Sequence, residues 1–206
     1  MERLARFRLA PQQLSGMDWQ AQYVTGVTPW DEGAPHPALL DFIAESGPFR
    51  GRILLPGCGL GHDARAISTA ENRVTGLDIA PAAIERARRF PRTGQEEYVE
   101  GDLFNLGPDR RAAFDWVVEH TCFCAIPPAM RSAYVEAVAG ALTPGACLFG
   151  IFYLEPAVDR QPPYGASLDE LNLLFGQRFA LVKEWVPART FSGRESRELV
   201  RILRCL

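Results

Sequence analysis

The sequence has no long apolar segment, little excess charge and few cysteines. None of its apolar runs reaches the roughly 18 residues of a membrane-spanning helix, so no association with a membrane is expected. Its 22 basic and 25 acidic residues give a net charge of −3, which argues against a nucleic-acid partner. The first residues, MERLARFRLAPQQ, contain no apolar core, so we expect no secretory signal peptide. The five cysteines, an odd number, argue against a disulfide scaffold and predict reduced thiols in a cytoplasmic protein.

The rest of the composition is that of a globular protein, with 47% hydrophobic and 23% charged residues. We expect one domain over 1–206, made of an N-terminal segment, 1–50, and a regular core, 51–206. In the core, short apolar segments alternate with helical ones, an order typical of a doubly wound α/β sheet covered on both faces. The last two predicted strands are joined by a short connection and should pair antiparallel. The predicted strands are 52–56, 73–78, 97–100, 113–119, 146–153, 178–186 and 197–204. The predicted helices are 37–46, 63–70, 81–90, 128–142, which a stop signal at 143–145 should end, and one that opens with the capping box of Ser167 and Glu170.

The most distinctive motif is Leu55-Pro-Gly-Cys-Gly-Leu-Gly-His-Asp63, between the first predicted strand and the next helix. Glycine has no Cβ, so the backbone of such a turn can approach a ligand closely. In open α/β sheets that ligand binds beyond the carboxyl ends of the strands. A tight turn with no ligand is the alternative for this motif alone.

Two acidic residues follow the next two strands. Asp78 ends the second strand, 21 residues after Gly57, where a carboxylate can accept hydrogen bonds from both ribose hydroxyls of a nucleoside. Asp102 follows the third strand and could hold the amine of an adenine. Either residue alone could be a helix cap or a turn residue. Together with the glycine turn they predict a nucleoside site.

The glycine spacing distinguishes between nucleoside cofactors. A dinucleotide site has Gly-x-Gly-x-x-Gly with the pyrophosphate at the helix N-terminus, whereas here the third glycine comes one residue earlier. Asp63 then stands at the start of the helix, where its carboxylate would repel a pyrophosphate. S-adenosylmethionine carries an ammonium and a sulfonium and no phosphate. The sequence therefore favours this cofactor over NAD.

These motifs resemble those of class I S-adenosylmethionine-dependent methyltransferases. More narrowly, the chain is similar to the thiopurine S-methyltransferase superfamily, in the branch of halide, thiocyanate and thiol methyltransferases. The resemblance runs from about Trp19 to the C-terminus and implies a seven-stranded Rossmann-like methyltransferase sheet with an N-terminal helical lid. Its landmarks are Trp19-x3-Tyr23-x6-Trp30-Asp-x-Gly33, the glycine motif, Gly76-Leu-Asp78, Gly101-Asp-Leu-Phe104, Glu119-His-Thr-Cys-Phe-Cys-Ala125 and Pro162-Pro-Tyr164.

The resemblance also implies a role for each of these positions. Aromatic residues of the N-terminal segment would cover the cofactor, and the strand ends would hold its ribose and adenine. The implied cofactor-binding residues are Trp19, Tyr23, Trp30, Gly57, Gly59, Asp78, Ile79, Asp102, Leu103, Glu119 and His120. The implied substrate pocket contains Trp30, His36 from a loop, Cys122, Phe123, Tyr153 and Tyr164. His120 stands where the family usually has tyrosine, and Cys122 where it more often has phenylalanine.

The expected reaction is in-line transfer of the methyl group to a small-molecule sulfur nucleophile, of thiol, thiopurine or thiocyanate type, with halide as a variant. A free thiol is only about a few per cent ionised at neutral pH, so a base would help, and His120 is the candidate. Its alternative role is to donate a hydrogen bond or to stack on the cofactor. A metal is not expected, because Cys122 and Cys124 have no second ligand pair for a structural zinc site. The alternatives are methylation of another small molecule, RNA or protein, and a non-catalytic cofactor-binding protein. The chain is expected to be a monomer.

Overall fold

The computed structural model describes residues 17–154 and 162–206, which form one seven-stranded sheet around which the helices pack. The strand order is β3-β2-β1-β4-β5-β7-β6. The first five strands are parallel, and β7 pairs antiparallel with both β5 and β6. This order confirms the predicted α/β sheet and its C-terminal antiparallel pair. The strands are β1 Gly51–Pro56, β2 Asn72–Asp78, β3 Glu96–Glu100, β4 Phe114–His120, β5 Leu142–Tyr153, β6 Phe179–Trp185 and β7 Glu198–Cys205. The predictions for residues 1–16, including the start of the N-terminal segment, lie outside the described residues.

The described part of the chain contains six α-helices, and four of them connect strands. The first two precede the sheet, which agrees with the helical N-terminal segment predicted from the sequence. No helix among residues 17–154 and 162–206 has the length and apolar character needed to cross a membrane. The helices are α1 Trp19–Thr25, α2 Pro37–Ser46, α3 His62–Ile67, α4 Pro81–Ala87, α5 Arg131–Ala141 and α6 Leu168–Phe175.

Alternation along the central strands builds the core on both faces of the sheet. In β1, the Leu54 side chain joins the cluster packed against α5 and α6, whereas Ile53 joins the cluster packed against α2 and α3. Val117 and Val118 of β4 divide in the same way. Successive side chains of a strand point to opposite faces, so these apolar runs bury both faces at once.

The boundaries differ from prediction mainly around α5. The predicted helix 128–142 is a 3₁₀ turn at Pro128–Met130 followed by α5, and the predicted stop at 143–145 lies inside β5. The register of β4 against β5 shifts between Phe114 and Trp116, so this stretch of β5 bulges. Pro144 has no N–H to donate to the ladder and Gly145 has a φ of +79°, which explains a bulge rather than a stop. The predicted capping interaction at α6 is present, with Ser167 Oγ accepting from the Glu170 N–H at 3.1 Å.

Arg131 at the start of α5 connects that helix to α6 and to the segment before it. Its guanidinium is buried and donates to both carboxylate oxygens of Glu170 at 2.8 Å and to the carbonyls of Tyr164 and Gly165 at 2.8 and 3.1 Å. It also lies over the Phe123 ring, 4.6 Å from the centroid. One side chain therefore holds residues 164–165 against the protein.

We predict that Arg131→Leu lowers the free energy of unfolding by about 3 kcal/mol, because buried acceptors lose their donor. Urea denaturation followed by circular dichroism measures this change. The matched control is Arg178→Leu, whose partner Glu136 is 57% exposed, and it should cost less than about 1 kcal/mol. Equal effects of the two substitutions would contradict the structural role of Arg131.

Candidate active site

A cavity of about 530 Å³ opens at the carboxyl ends of the parallel strands. Its walls come from the turn after β1, the end of β2, the residues after β3 and β4, and the segment 29–34 before α2. Phe191 and Arg194, in the connection between β6 and β7, close the far side. The location is the one at which open α/β sheets bind ligands.

The glycine turn after β1 forms one wall by its backbone. Gly57 and Gly59 have φ values of +62° and +52°, which side chains disfavour. A Cβ on Gly57 would lie 2.9 Å from the Cys122 Cβ, and one on Gly59 would lie 2.8 Å from the Tyr23 hydroxyl oxygen. Glycine is therefore required at both positions by conformation and by space, and the bare backbone faces the cavity.

Asp78 at the end of β2 has both a structural and a chemical part in the cavity. Its Oδ2 accepts from the Gly59 N–H and its Oδ1 from the Ala80 N–H, both at 2.9 Å. Burial raises the pKa of Asp78, and these backbone donors oppose that rise. Asp102, after β3, caps a 3₁₀ turn by accepting from the Phe104 N–H at 2.9 Å, and burial raises its pKa as well. Carboxylate oxygens retain further lone pairs, so both residues can accept hydrogen bonds from a bound molecule.

Three aromatic side chains from the N-terminal segment cover the opposite wall. Trp30 Nε1 donates to the Tyr23 hydroxyl at 3.1 Å, and the two rings meet edge to face with centroids 5.8 Å apart. Trp19 packs on Trp30 in the same manner at 5.3 Å. The aromatic cluster rests on the first turn of α4 through Ala82. All three residues line the cavity, and the face of an aromatic ring can stabilise a cation.

His120, the last residue of β4, meets the helix α3 residue Asp63 at the cavity. The His120 Nδ1 lies 2.7 Å from the Asp63 Oδ2, and the Asp63 Oδ1 accepts from the His36 backbone N–H at 2.8 Å. The His120 Nε2 is buried and has no hydrogen-bond partner among the described residues. Burial alone would raise the pKa of Asp63, but His120 and the two hydrogen bonds hold it below its usual value. The next residue, Thr121, has a φ of +63°, a conformation that β-branched residues rarely adopt outside constrained sites.

Comparison with known proteins now decides the family. Residues 14–186 match the sequence profile described as Thiopurine S-methyltransferase (TPMT). The chain belongs to the thiopurine S-methyltransferase family. This finding confirms the resemblance drawn from the glycine, tryptophan and phenylalanine-cysteine motifs.

Individual relatives of this family member agree with that assignment. Thiocyanate methyltransferase 1 of Brassica oleracea is 34% identical over 171 residues, which cover 81% of this chain and 74% of the relative. Probable thiol methyltransferase 2 of Arabidopsis thaliana is 31% identical over 167 residues, covering 79% and 73%. Among solved structures, a Burkholderia thailandensis 1,6-didemethyltoxoflavin-N1-methyltransferase with bound S-adenosylhomocysteine has a TM-score of 0.73 at 22% identity, covering 96% and 91%. That likeness supports the fold.

Most of the residues predicted for the site in this family member do line the cavity. They come from six separate stretches of the sequence, and their roles remain predictions. The predicted residues in the lining are Trp19, Tyr23, Trp30, Gly57, Gly59, Asp78, Ile79, Asp102, Leu103, His120, Cys122 and Tyr153.

His36 lies in the non-helical segment before α2, as predicted, but the prediction that it faces the substrate is wrong. His36 is fully buried and caps α2, with its Nδ1 accepting from the Ala38 N–H at 3.1 Å. Its Nε2 lies 2.8 Å from a carboxylate oxygen of Glu198 in β7. The residue is outside the cavity lining because its ring packs behind His120, with centroids 4.6 Å apart.

Three further predicted residues also lie outside the lining. Glu119 alternates with Val118 and His120, which line the cavity, so its side chain turns to the buried face. There it accepts from the Phe123 N–H at 2.7 Å and from the Tyr134 hydroxyl. The Phe123 ring packs in the core against Tyr134 and Phe152. Tyr164 is buried behind the wall, and its neighbours Pro162 and Pro163 supply the lining instead.

Sequence reasoning missed other lining residues. Phe191 and Arg194 lie in a connection that gave no motif, and only the fold brings them to the cavity. Asp31, within the Pro-Trp-Asp-x-Gly element, pairs with His62 at 3.3 Å and so links the N-terminal segment to α3. The presence of Asp31 in that element was the available signal in the sequence. The spacing of residues along the chain does not show that Asp31 pairs with His62.

The buried Glu119 yields a prediction for stability against pH. Burial raises its pKa from 4.5 to about 7, despite the opposing hydrogen bonds from Tyr134 and Phe123. Between these pH values the folded protein keeps a proton that the unfolded chain releases, so this group's contribution to the free energy of unfolding falls as pH rises. We predict that the advantage of wild type over Glu119→Gln decreases by about 3 kcal/mol from pH 4.5 to pH 8.

Urea denaturation of both proteins across that range measures the difference. Glu96→Gln is the control, because Glu96 accepts from the Thr93 and Gly94 N–H groups, which hold its pKa below its usual value against burial. Its difference from wild type should stay flat above pH 5. A flat difference for Glu119→Gln would show that folding does not raise the pKa of this carboxyl.

Proposed function

We propose that this protein transfers the methyl group of S-adenosylmethionine to a small-molecule sulfur nucleophile, of thiol, thiopurine or thiocyanate type, with halide as a variant. The observation that carries the proposal is one cavity that is lined by Asp78, by Asp102, by the aromatic cluster and by His120 at the end of β4. Family membership and relatives named for thiocyanate and thiol methylation support the acceptor class.

The cavity suits S-adenosylmethionine by the chemistry of its walls. Asp78 offers carboxylate oxygens to the ribose hydroxyls, while Asp102, Leu103 and Ile79 frame space for the adenine. The aromatic cluster suits a sulfonium, by about 0.5–2 kcal/mol for each cation–π contact. The bound cofactor supplies a methyl group on positively charged sulfur. Residues 17–50 of the predicted lid segment 1–50 act in this proposal as a lid over it, and residues 1–16 lie outside the described residues.

The proposed acceptor end of the cavity is mostly apolar, with one charged residue. Cys122, Cys124, Ile126, Tyr153 and Phe191 line it together with Arg194, whose guanidinium lies 5.9 Å from the Phe191 ring centroid, so a bound nucleophile loses most of its water shell there. Positioning two reactants in line contributes roughly 7–11 kcal/mol at best, and a thiolate needs little further activation. His120 takes the thiol proton as general base. The sulfur lone pair then forms the new bond to carbon as the carbon–sulfonium bond breaks.

A coupled assay of S-adenosylhomocysteine release tests the function. The panel contains small thiols, a thiopurine, thiocyanate, iodide and bulk RNA. Turnover confined to sulfur or halide acceptors supports the proposal. Turnover of RNA alone, or no binding of S-adenosylhomocysteine by calorimetry, would overturn it.

The part of the cavity that is proposed to bind the cofactor yields its own prediction. Asp78→Asn removes the negative charge from the ribose-facing acceptor and should weaken S-adenosylhomocysteine binding about 10- to 100-fold, since hydrogen bonds to charged groups are the stronger ones. Isothermal titration calorimetry measures the change, and Glu96→Gln, the same carboxylate-to-amide change far from the cavity, should leave Kd unaltered. Unchanged affinity in Asp78→Asn would refute the assigned role.

The finer proposals are a single domain, a monomeric state and a cytoplasmic location. All five cysteines are free thiols, which supports a reducing compartment. Light scattering at assay concentration tests the monomer, and a dimer mass would contradict it.

A further inference from the structure

We propose that Asp63 is a positioning residue that fixes the tautomer of His120 and so makes its Nε2 the base of the reaction. This inference rests on the proposed function and names the residue through which His120 acts. The two side chains come from α3 and from the end of β4, 57 residues apart, and meet at 2.7 Å.

The orientation of the Asp63 carboxylate is set by a hydrogen bond whose direction is fixed. Its Oδ1 accepts from the backbone N–H of His36, which can only donate. Its Oδ2 therefore remains for the His120 Nδ1. A carboxylate only accepts, so the Nδ1 carries the hydrogen and the lone pair of the neutral ring is left on Nε2.

The His36 donor is itself held in place. Its ring Nδ1 accepts from the Ala38 N–H, so its Nε2 carries the hydrogen and donates to Glu198 at 2.8 Å. The ring is fully buried, and burial lowers the pKa of His36 below its usual value although Glu198 opposes this. His36 is therefore a neutral, fixed element that aims its backbone N–H at Asp63.

The charges around His120 suit a ring that gains a proton. Burial is outweighed chiefly by His120 for Asp63 and by His36 for Glu198, so the pKa of each carboxyl lies below its usual value and both stay ionised. The His36 ring packs against His120, Glu119 interacts with His120 only through its charge from the other face of β4, and Arg194 lies 3.4 Å from Glu198. Asp63 is the only one of these groups in direct hydrogen-bond contact with the His120 ring among the described residues. It therefore stabilises the imidazolium that proton uptake forms.

The buried Nε2 is the atom with no other use. It is buried and nothing in the described chain hydrogen-bonds to it, while the residue His120 lines the cavity. A buried acceptor without a partner is unfavourable, and a thiol S–H would satisfy it. In the step, the thiol proton passes to Nε2 and sulfur bonds to the methyl carbon. The carbon–sulfonium bond breaks and its electron pair stays on the product S-adenosylhomocysteine, and the proton leaves to water after product release.

The decisive variant is Asp63→Asn. Its amide oxygen must face the His36 N–H, which leaves the NH₂ group facing the His120 Nδ1. The Nδ1 then has to accept, the ring hydrogen moves to Nε2, and the base is lost. We expect kcat/KM for an alkyl thiol such as 2-mercaptoethanol to fall about 10²- to 10⁴-fold.

A methyl acceptor that is already ionised distinguishes the loss of the base from structural damage caused by the substitution. 4-Nitrothiophenol is a thiolate at neutral pH and needs no base, so its kcat/KM should fall less than about fivefold in Asp63→Asn. The Kd of S-adenosylhomocysteine should stay within about threefold of wild type. Glu96→Gln, the matched carboxylate-to-amide control, should leave both rates unchanged. Equal losses with both acceptors, or none with either, would overturn the proposal.

A second measurement detects the tautomer of His120 directly. The chain has three histidines, so ¹⁵N–¹H correlation spectra of the rings are simple, and His36→Gln and His62→Gln assign them. Wild type should show His120 protonated on Nδ1 and unprotonated on Nε2 at alkaline pH, and Asp63→Asn should show the reverse. An Nε2–H signal in wild type would refute the dyad. Absence of any turnover by wild type would instead refute the proposed function, while the spectra still decide the geometry.

Discussion

The Asp63 carboxylate is the contact on which the arrangement of the site depends. Its two oxygens receive hydrogen bonds from the segment before α2 and from the end of β4, and the residue itself opens α3. A buried carboxylate is tolerated only when its charge is matched by such donors. Loss of either donor would leave an uncompensated charge, so three distant parts of the chain hold one another in register. Through His36 and Glu198 the same contact reaches β7.

Residues at the strand ends stabilise the fold and also line the cavity. Asp78 secures the glycine turn through the Gly59 N–H and also presents its carboxylate to the cavity. Tyr23 fills the space over Gly59 and orients Trp30 by a hydrogen bond. The site is therefore preformed by contacts that the fold needs in any case. Preorganisation of this kind suits a reaction whose barrier is lowered chiefly by positioning.

The sequence predicted what local rules control, and it failed where distant contacts decide. The alternation of strands and helices, the antiparallel pair and the strand-end positions of Asp78 and Asp102 follow from apolar runs and from the rule that ligands meet strand carboxyl ends. His36 was misplaced because its partner Glu198 is 162 residues away, and no spacing reveals that pair. The family resemblance implied both Glu119 and His120 for the site, although adjacent strand residues face opposite sides. Phe191 reaches the cavity only through the pairing of β6 with β7.

Burial explains why the protein's own thiols in the cavity do not compete with a bound thiol for the methyl group. Cys58, Cys122 and Cys124 line a site proposed to methylate sulfur, so each is a potential acceptor. Burial raises the pKa of Cys58 and Cys122 well above the usual value and that of Cys124 to about 12, with Asp78 or Glu119 adding to the effect. All three stay protonated at neutral pH, and the thiolate is the nucleophilic form. Only a thiol that reaches the His120 Nε2 is offered a base. The same desolvation that favours transfer to a bound acceptor therefore protects the protein's own sulfur atoms.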